Sequence, residues 1–396
     1  MKKNKLTVFF IVLTGVLIIG VFLVRSLITE SSRASKPAAA TLEQLLSLPY
    51  VAYTETVEDP GKAGVVINKP DKTWKGYNLV GDKLLSMNGK RLKSMPRSKL
   101  NIMNNEGQFL SIRKETLCLF DWDLNNIWEK DLILHHEISL TSSGTILTTT
   151  KEVQTYNKRR VEFDVILELD HEGNELQRWS TWEQFETLRD IHKPLPLDKP
   201  GEINRHLVPI GADKSGRYGG EYDYYHLNSI QALPANPKSA IDGDFRAGNW
   251  LLILRNVNLI IILDQETKEI VWNFGVEELD QPHHARMLSS GNILLFDNGP
   301  YRGYTRVIEI DPLSNKIVWE YRGDPAESFQ SKWLGSAQRL PNGNTLIGDG
   351  WNGRAIEVTK QGEIVWEWLN PKFNSEGRRK NFYRIIRYPE TSAVSH

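Results

Sequence analysis

Three stretches of this chain close alike: "LDQETKEIVWNFG" (263–275), "IDPLSNKIVWEYRG" (310–323) and "VTKQGEIVWEWLN" (358–370). Their tryptophans, Trp272, Trp319 and Trp366, stand 47 residues apart. A repeat of about 40 to 50 residues with strand-like content marks propeller blades, because one small sheet cannot bury both faces until its neighbours stack on it. Weaker copies end at Trp128 ("FDWDLNNIWEKD") and Trp179 ("LDHEGNELQRWS"), 51 residues apart. The step from Trp179 to Trp272 is 93 residues, so that interval holds either a degenerate blade or an insertion.

A second landmark decides between these. A glycine opens a short β-rich run in each unit, at Gly107, Gly144, Gly248, Gly291 and Gly343, and each pairs with one closing tryptophan. The long interval is therefore one blade plus an insertion at roughly 181–224, which holds the loop-like "HKPLPLDKPG" and the aromatic "GRYGGEYDYYH". A less regular unit around "GDKLLSMNGKRL" (81–92) brings the count to six. Short strands, Asn-Gly turns and the lack of long helical periods predict an all-β, six-bladed β-propeller. The tryptophans are expected to pack between blades.

The chain has 396 residues, 49 Lys+Arg against 49 Asp+Glu, and one cysteine, Cys118. Zero net charge provides no bulk field for a nucleic acid, and there is no basic stripe or Cys/His ligand pattern, so nucleic acid is excluded as a partner. One cysteine forms no internal disulfide. At the N-terminus, three lysines within residues 1–5 precede an apolar stretch whose uncharged core runs from Leu6 to Val24. Residues 6–28 are long enough to cross a bilayer as a helix and too long for an ordinary cleaved signal, so a single transmembrane signal anchor is expected. Residues 29–45 read as a linker and 46–396 as the propeller. Lys2, Lys3 and Lys5 nearly balance Arg25, Arg33 and Lys36, and the propeller is placed on the periplasmic or extracytoplasmic side. Oligomeric state is left open.

Histidines fall in repeat phase. Eight residues before Gly144 and Gly291 stand His136 and His283, and eight before Gly343 stands Gly335. Matching the apolar positions of "YHLNSIQAL" puts His226 in the same place in the intervening blade. Strands at the inner end of a blade line the central channel, so this phase predicts that His136, His226 and His283 converge there. His135 and His284, one residue away, are expected to face oppositely because strand side chains alternate. Converging imidazoles suit either a transition metal with an open position or an anion that a neutral histidine attacks. Asn228, two residues after His226, and Arg255 in "LLILRNVN" are a hydrogen-bond donor and a planar cation, which favours an oxyanion; no metal is assigned.

The segments "HHEISL", "HLNSIQAL", "LLILRNVN", "HHARMLSSGNILLFDNG", "RVIEIDPLSNKIVWEY" and "AQRLPNGNTLI" resemble, in order, the bacterial arylsulfate sulfotransferase family over about 130–370. That resemblance implies a six-bladed propeller moving a sulfuryl group from a phenolic sulfate ester to a phenolic acceptor, with no phosphoadenylyl-sulfate and no other cofactor. It implies that His283 is the nucleophile that becomes sulfated. His226, Asn228 and Arg255 would hold the sulfuryl oxygens, and His136 would assist proton transfer. His135 and His284 are carried as substrate-binding neighbours, and Ser336 stands beside the position where the family has a hydroxyl. The alternative is a noncatalytic membrane-anchored propeller that binds a ligand or protein partner with the same residues.

Four further segments have readings of their own. "FDNG" (296–299) and "LPNGN" (340–344) carry Asn-Gly and are expected to be hairpin turns. Tyr218, Tyr222, Tyr224 and Tyr225 are expected either to line an acceptor pocket or to form a structural loop. The basic "NSEGRRKNFYRIIRYP" near the C-terminus reads as a solvated face or last strand.

Overall fold

Aliphatic and β-branched runs of up to eleven residues, broken by Asn, Asp and Gly turns, become the strands of six sheets, antiparallel but for one short parallel pair. The computed structural model describes residues 61–390 apart from 114–115, 193–207 and 210–218. The first blade comprises Tyr77–Val80, Lys83–Leu85 and Arg91–Ser94, and its inner strand is the distant Ile385–Tyr388. The second runs from Leu100–Met103 to Asn126–Asp131, and the third from His135–Leu140 to Glu175–Ser180. The fourth spans Leu227–Ala232 to Ile270–Phe274, the fifth Pro282–Met287 to Lys316–Arg322, and the sixth Ser336–Arg339 to Ile364–Leu369. Gly64–Asn68 adds a fifth strand to the outer edge of the sixth blade.

Period-two alternation holds the ring together. In the fourth blade the middle strand Trp250–Leu254 is buried throughout. Trp250, Leu252 and Leu254 pack toward the third blade with Phe163 and Ile166, while Leu251 and Ile253 pack toward the fifth with Ile293 and Ile308. A middle strand with a blade on either face has no solvent side, which is why "LLIL" and "LIIIL" are unbroken apolar runs. Six apolar clusters occupy the six blade junctions, including the one between the sixth and first blades.

The repeated tryptophan has a specific task. Trp128, Trp272, Trp319 and Trp366 each donate the indole N–H to a backbone carbonyl of the following blade, His171, Pro312, Lys360 and Met87, at 2.9–3.2 Å. Buried ring area and one directional bond are thereby supplied at the same point of each junction. Trp179 is buried in its junction, but its N–H has no partner among the described residues.

The insertion after the third blade is more ordered than a loop. A helix, α1 (Phe185–Ile191), packs Phe185 and Leu188 into the third-to-fourth junction, and Tyr222–Asp223 runs parallel to Arg159–Leu169. Tyr224 and Tyr225 are fully buried among Phe163 and Phe185, so they are core residues and not an acceptor pocket; Tyr218 lies outside the described residues. The expected transmembrane span at 6–28 also lies outside them. Among the described residues, all within the unit Pro49–His396, no helix is long and apolar enough to cross a membrane.

Candidate active site

The inner strands of the third, fourth and fifth blades begin within one residue of the predicted His136, His226 and His283, and in each the ladder is interrupted near its start. Register shifts occur between the partners of His135 and Ile138, between Leu227 and Ser229, and between His283 and Arg286. His136, His226 and His284 adopt left-handed backbone with φ of 50°, 55° and 51°. Non-glycine residues held there gather at functional sites.

These bulges correct two expectations. His135 and His284 do not face away: all five histidines are buried, the His135 ring lies 3.8 Å from that of His136, and His284 lines the same cleft as His283. Alternation fails because the bulge inserts residues that the facing strand does not match. The equivalent positions also differ from the apolar alignment. His136, Asn228, His283 and Gly335 each lie four residues before Leu140, Ala232, Met287 and Arg339, which pair with Ile146, Trp250, Ile293 and Thr345. Asn228 therefore holds the repeat position in the fourth blade, and His226 reaches the cluster from two residues further upstream.

His283 is held in one tautomer. The Asn298 amide donates to the carbonyls of Ser331 and Leu334, both at 2.7 Å, which fixes its oxygen as the acceptor for His283 Nδ1 at 2.6 Å. Nδ1 therefore carries the proton and Nε2 the lone pair. Burial, then the Arg255 charge, holds His283 well below the usual 6.5, so the ring is neutral at pH 7. His284 takes the opposite tautomer. Its Nδ1 accepts from the Ala337 N–H at 3.3 Å, leaving Nε2–H as a donor. Asn298, which the sequence presents as a hairpin turn, is thus the residue that orients His283. Asn342–Gly343 of the second Asn-Gly does form its turn, with Gly343 at φ 87°.

A second chain of hydrogen bonds starts in the same cleft. Tyr383 Oη lies 2.9 Å from His136 Nδ1, His136 Nε2 lies 2.8 Å from His226 Nε2, and His226 Nδ1 lies 2.6 Å from Asp223 Oδ2. Burial, with Asp223 opposing it, lowers His226 to about 4; His136 is driven well below 6.5 by burial and by His135. With both rings neutral, one proton arrangement satisfies every contact. Tyr383 donates to His136 Nδ1, His136 Nε2–H donates to His226 Nε2, and His226 Nδ1–H donates to Asp223. Although burial opposes ionisation, Lys151 at 2.5 Å and His226 keep Asp223 below the ordinary carboxylate range.

The cationic side is equally built. Arg255 is buried, donates to Gln281 Oε1 at 2.8 Å and lies 4.6 Å from the Trp333 ring centroid. Arg384 makes a two-bond fork to Glu137 at 2.6 and 2.8 Å, and Arg286 reaches the same carboxylate at 3.3 Å. One carboxylate between two guanidiniums leaves a net positive charge beside the cleft. Asn228, His283, His284, Leu334, Gly335, Tyr383 and Arg384 line that cleft. The Asn228 amide donates to the Pro282 carbonyl at 3.0 Å, and its oxygen has no partner among the described residues. Ser336 is buried with its hydroxyl against Gly348, and it does not line the cleft.

Sequence reasoning missed Tyr383, Arg384, Arg286, Asp223 and Asn298. Tyr383 and Arg384 sit in "NFYRIIRYP", whose arginines are not a solvated face: Arg384 pairs with Glu137 and Arg387 with Glu357, all four buried. The last-strand reading of this segment holds: Ile385–Tyr388 pairs with Tyr77–Val80 of the first blade.

The sequence model of the family described as Arylsulfotransferase (ASST) matches residues 99–371. No curated protein matches the chain significantly. Among solved structures, a protein of unknown function from Bacteroides caccae aligns at 14% identity and a TM-score of 0.49, covering 80% of this chain and 100% of that one. A streptogramin B lyase aligns at 11% identity and 0.44, covering 84% and 96%. A catalytically inactive virginiamycin B lyase from Staphylococcus aureus with quinupristin aligns at 12% and 0.41, covering 83% and 88%.

Proposed function

Because the chain belongs to the arylsulfotransferase family, we propose that it transfers a sulfuryl group from a phenolic sulfate ester to a phenolic acceptor through a sulfohistidine at His283, with no nucleotide donor. The observation that carries this reading is the fixed tautomer of His283, whose Nδ1 is locked on Asn298 and whose Nε2 keeps its lone pair in a ring neutral at pH 7.

The chemistry divides into two half-reactions. In the first, His283 Nε2 attacks sulfur, the S–N bond forms, the S–O bond to the aryl group breaks and a phenolate departs. Charge on the sulfuryl oxygens is met by Arg255, by the net positive charge of Arg384 and Arg286 over Glu137, and by His284 Nε2–H. In the second, the acceptor phenol gives its proton to the Tyr383 oxygen as Tyr383 passes its own to His136 Nδ1 and His136 passes Nε2–H to His226 Nε2. The imidazolium formed on His226 rests against Asp223. The acceptor oxygen attacks sulfur and the S–N bond breaks. In the next cycle the same proton returns along this route to the departing phenolate, so protons balance over each pair of half-reactions. The propeller would carry out this transfer outside the cytoplasm, tethered by the apolar segment at 6–28.

The test is to incubate the purified full-length chain with a chromogenic phenyl sulfate and a phenol acceptor, beside His283→Ala and Arg255→Ala. Acceptor-dependent phenol release that both substitutions abolish supports the reading. Folded protein without turnover across a broad donor and acceptor panel favours the binding propeller instead.

A further inference from the structure

One side of the histidine cluster has a character that sulfuryl transfer does not require. His135, His136 and His226 are all buried, and one ring nitrogen from each lies within 4.8 Å of the others. The His135 ring stands edge-on to both partners, at 3.8 Å from His136 and 5.1 Å from His226. Behind the rings stand carboxylates. Asp223 holds His226 Nδ1 at 2.6 Å, and Asp164 lies 3.9 Å from His135 Nδ1. Asp223 alone is within hydrogen-bond distance, and a carboxylate so placed on one imidazole nitrogen orients a metal-binding histidine and raises the basicity of its other nitrogen.

The local charge points the same way. Lys151 is shared by Glu162 at 3.6 Å, Asp164 at 3.9 Å and Asp223 at 2.5 Å, so three buried carboxylates face one ammonium. Burial pushes Asp164 up to about 7, so protonation removes part of this excess; a dication among three neutral imidazoles would offset the remainder, whereas an oxyanion placed there would add to it. On the other side Arg384 lines the cleft, and the charges of Arg255 and Arg286 act on His283 and His284.

We propose that His135, His136 and His226 form a binding site for a divalent transition metal, zinc in the first instance, with the fourth tetrahedral position open to water. Zinc is matched by imidazole donors and by three protein ligands plus one exchangeable position. Two ligands on one tetrahedral zinc stand about 3.3 Å apart, so the 2.8 Å contact between His136 and His226 must open by about half an ångström. Metal and proton chain are therefore mutually exclusive: zinc takes the lone pair of His226 Nε2, and His136 frees its own Nε2 by moving that proton to Nδ1, where Tyr383 Oη accepts in place of donating. If the proposed transfer chemistry holds, zinc is also a reversible inhibitor of it.

Binding is read without any substrate, so it stands or falls separately from the transfer reading. Full-length protein is freed of metal with a chelator and titrated with zinc chloride by calorimetry, beside magnesium chloride, His135→Ala, His226→Ala and His283→Ala. One zinc per chain with micromolar or tighter affinity is expected for the parent and for His283→Ala, and no magnesium. His135→Ala and His226→Ala should each weaken zinc at least tenfold. His135→Asp, which restores a ligand, should recover part of the affinity should the alanine variants fold poorly. Cobalt(II) in place of zinc should give the intense visible absorption of a four-coordinate ion. Absence of saturable zinc binding, or zinc affinity unchanged in folded His135→Ala and His226→Ala, overturns the proposal.

Discussion

At the scale of single residues, the site works by fixing where protons are. Asn298 cannot accept from Ser331 and Leu334, since both offer carbonyls, and so must present its oxygen to His283. Asn298→Ala should lower kcat by about 10²-fold with little change in KM, because His283, the proposed nucleophile, is then free to rotate or change tautomer; steady-state kinetics on a phenyl sulfate checks this. Tyr383→Phe should cost about 10²-fold for esters of poorly acidic phenols and far less for nitrophenyl esters, whose phenolates leave without a proton. Equal losses for both would remove Tyr383 from the proton chain. Burial also couples His283 and His284 to stability. Burial, with Arg255 for one and Arg286 for the other, holds both well below 6.5, so the unfolded chain takes up protons that the folded chain refuses. Stability is therefore complete above about pH 6.5 and falls as pH drops beneath it, by about 1.4 kcal/mol per pH unit for each histidine. Urea unfolding at about pH 7.5 and about pH 5.5 should show the loss, and His284→Gln should reduce it.

At the scale of elements, the blade repeat was legible because it is local: a glycine opening one strand and a tryptophan closing another lie within one unit. The tryptophan bonds to the next blade explain why the spacing persists, and Trp272→Phe should lower stability by about 1–2 kcal/mol through the lost N–H bond and ring area. Gly335 was legible only as a gap in the histidine phase. Its φ of 133°, and the Phe296 ring that a Cβ would strike, require glycine. Gly335→Ala should cost on the order of 3 kcal/mol, seen as a lowered Tm in calorimetry. The bulges at the inner strand starts were not legible. Alternation from "HHEISL" or "HHARM" places the two histidines of each pair on opposite faces, and only the register of the facing strand reveals the inserted residues. His226 was found for the wrong reason: Asn228 occupies the repeat position, and left-handed backbone at His226 brings its ring back to His136.

At the scale of the whole molecule, the ring closes by carrying Ile385–Tyr388 back to the first blade, and this return places Tyr383 and Arg384 in the cleft. The count of six blades could be read from the repeat, but partners so distant in the chain as Tyr383 and His136, or Arg384 and Glu137, could not. No motif links them; only closure does. Ring closure thus assembles the cleft, and in the proposed mechanism its residues converge on the lone pair of His283 Nε2. The most direct measurement is a single turnover: full-length protein is mixed with a sulfur-labelled phenyl sulfate in the absence of acceptor, quenched in alkali and mapped by peptide mass spectrometry. The account predicts one sulfuryl group per chain on His283, discharged when a phenol is added and absent from His283→Ala. Turnover with no labelled protein, or label on a different residue that transfers competently to acceptor, would contradict it.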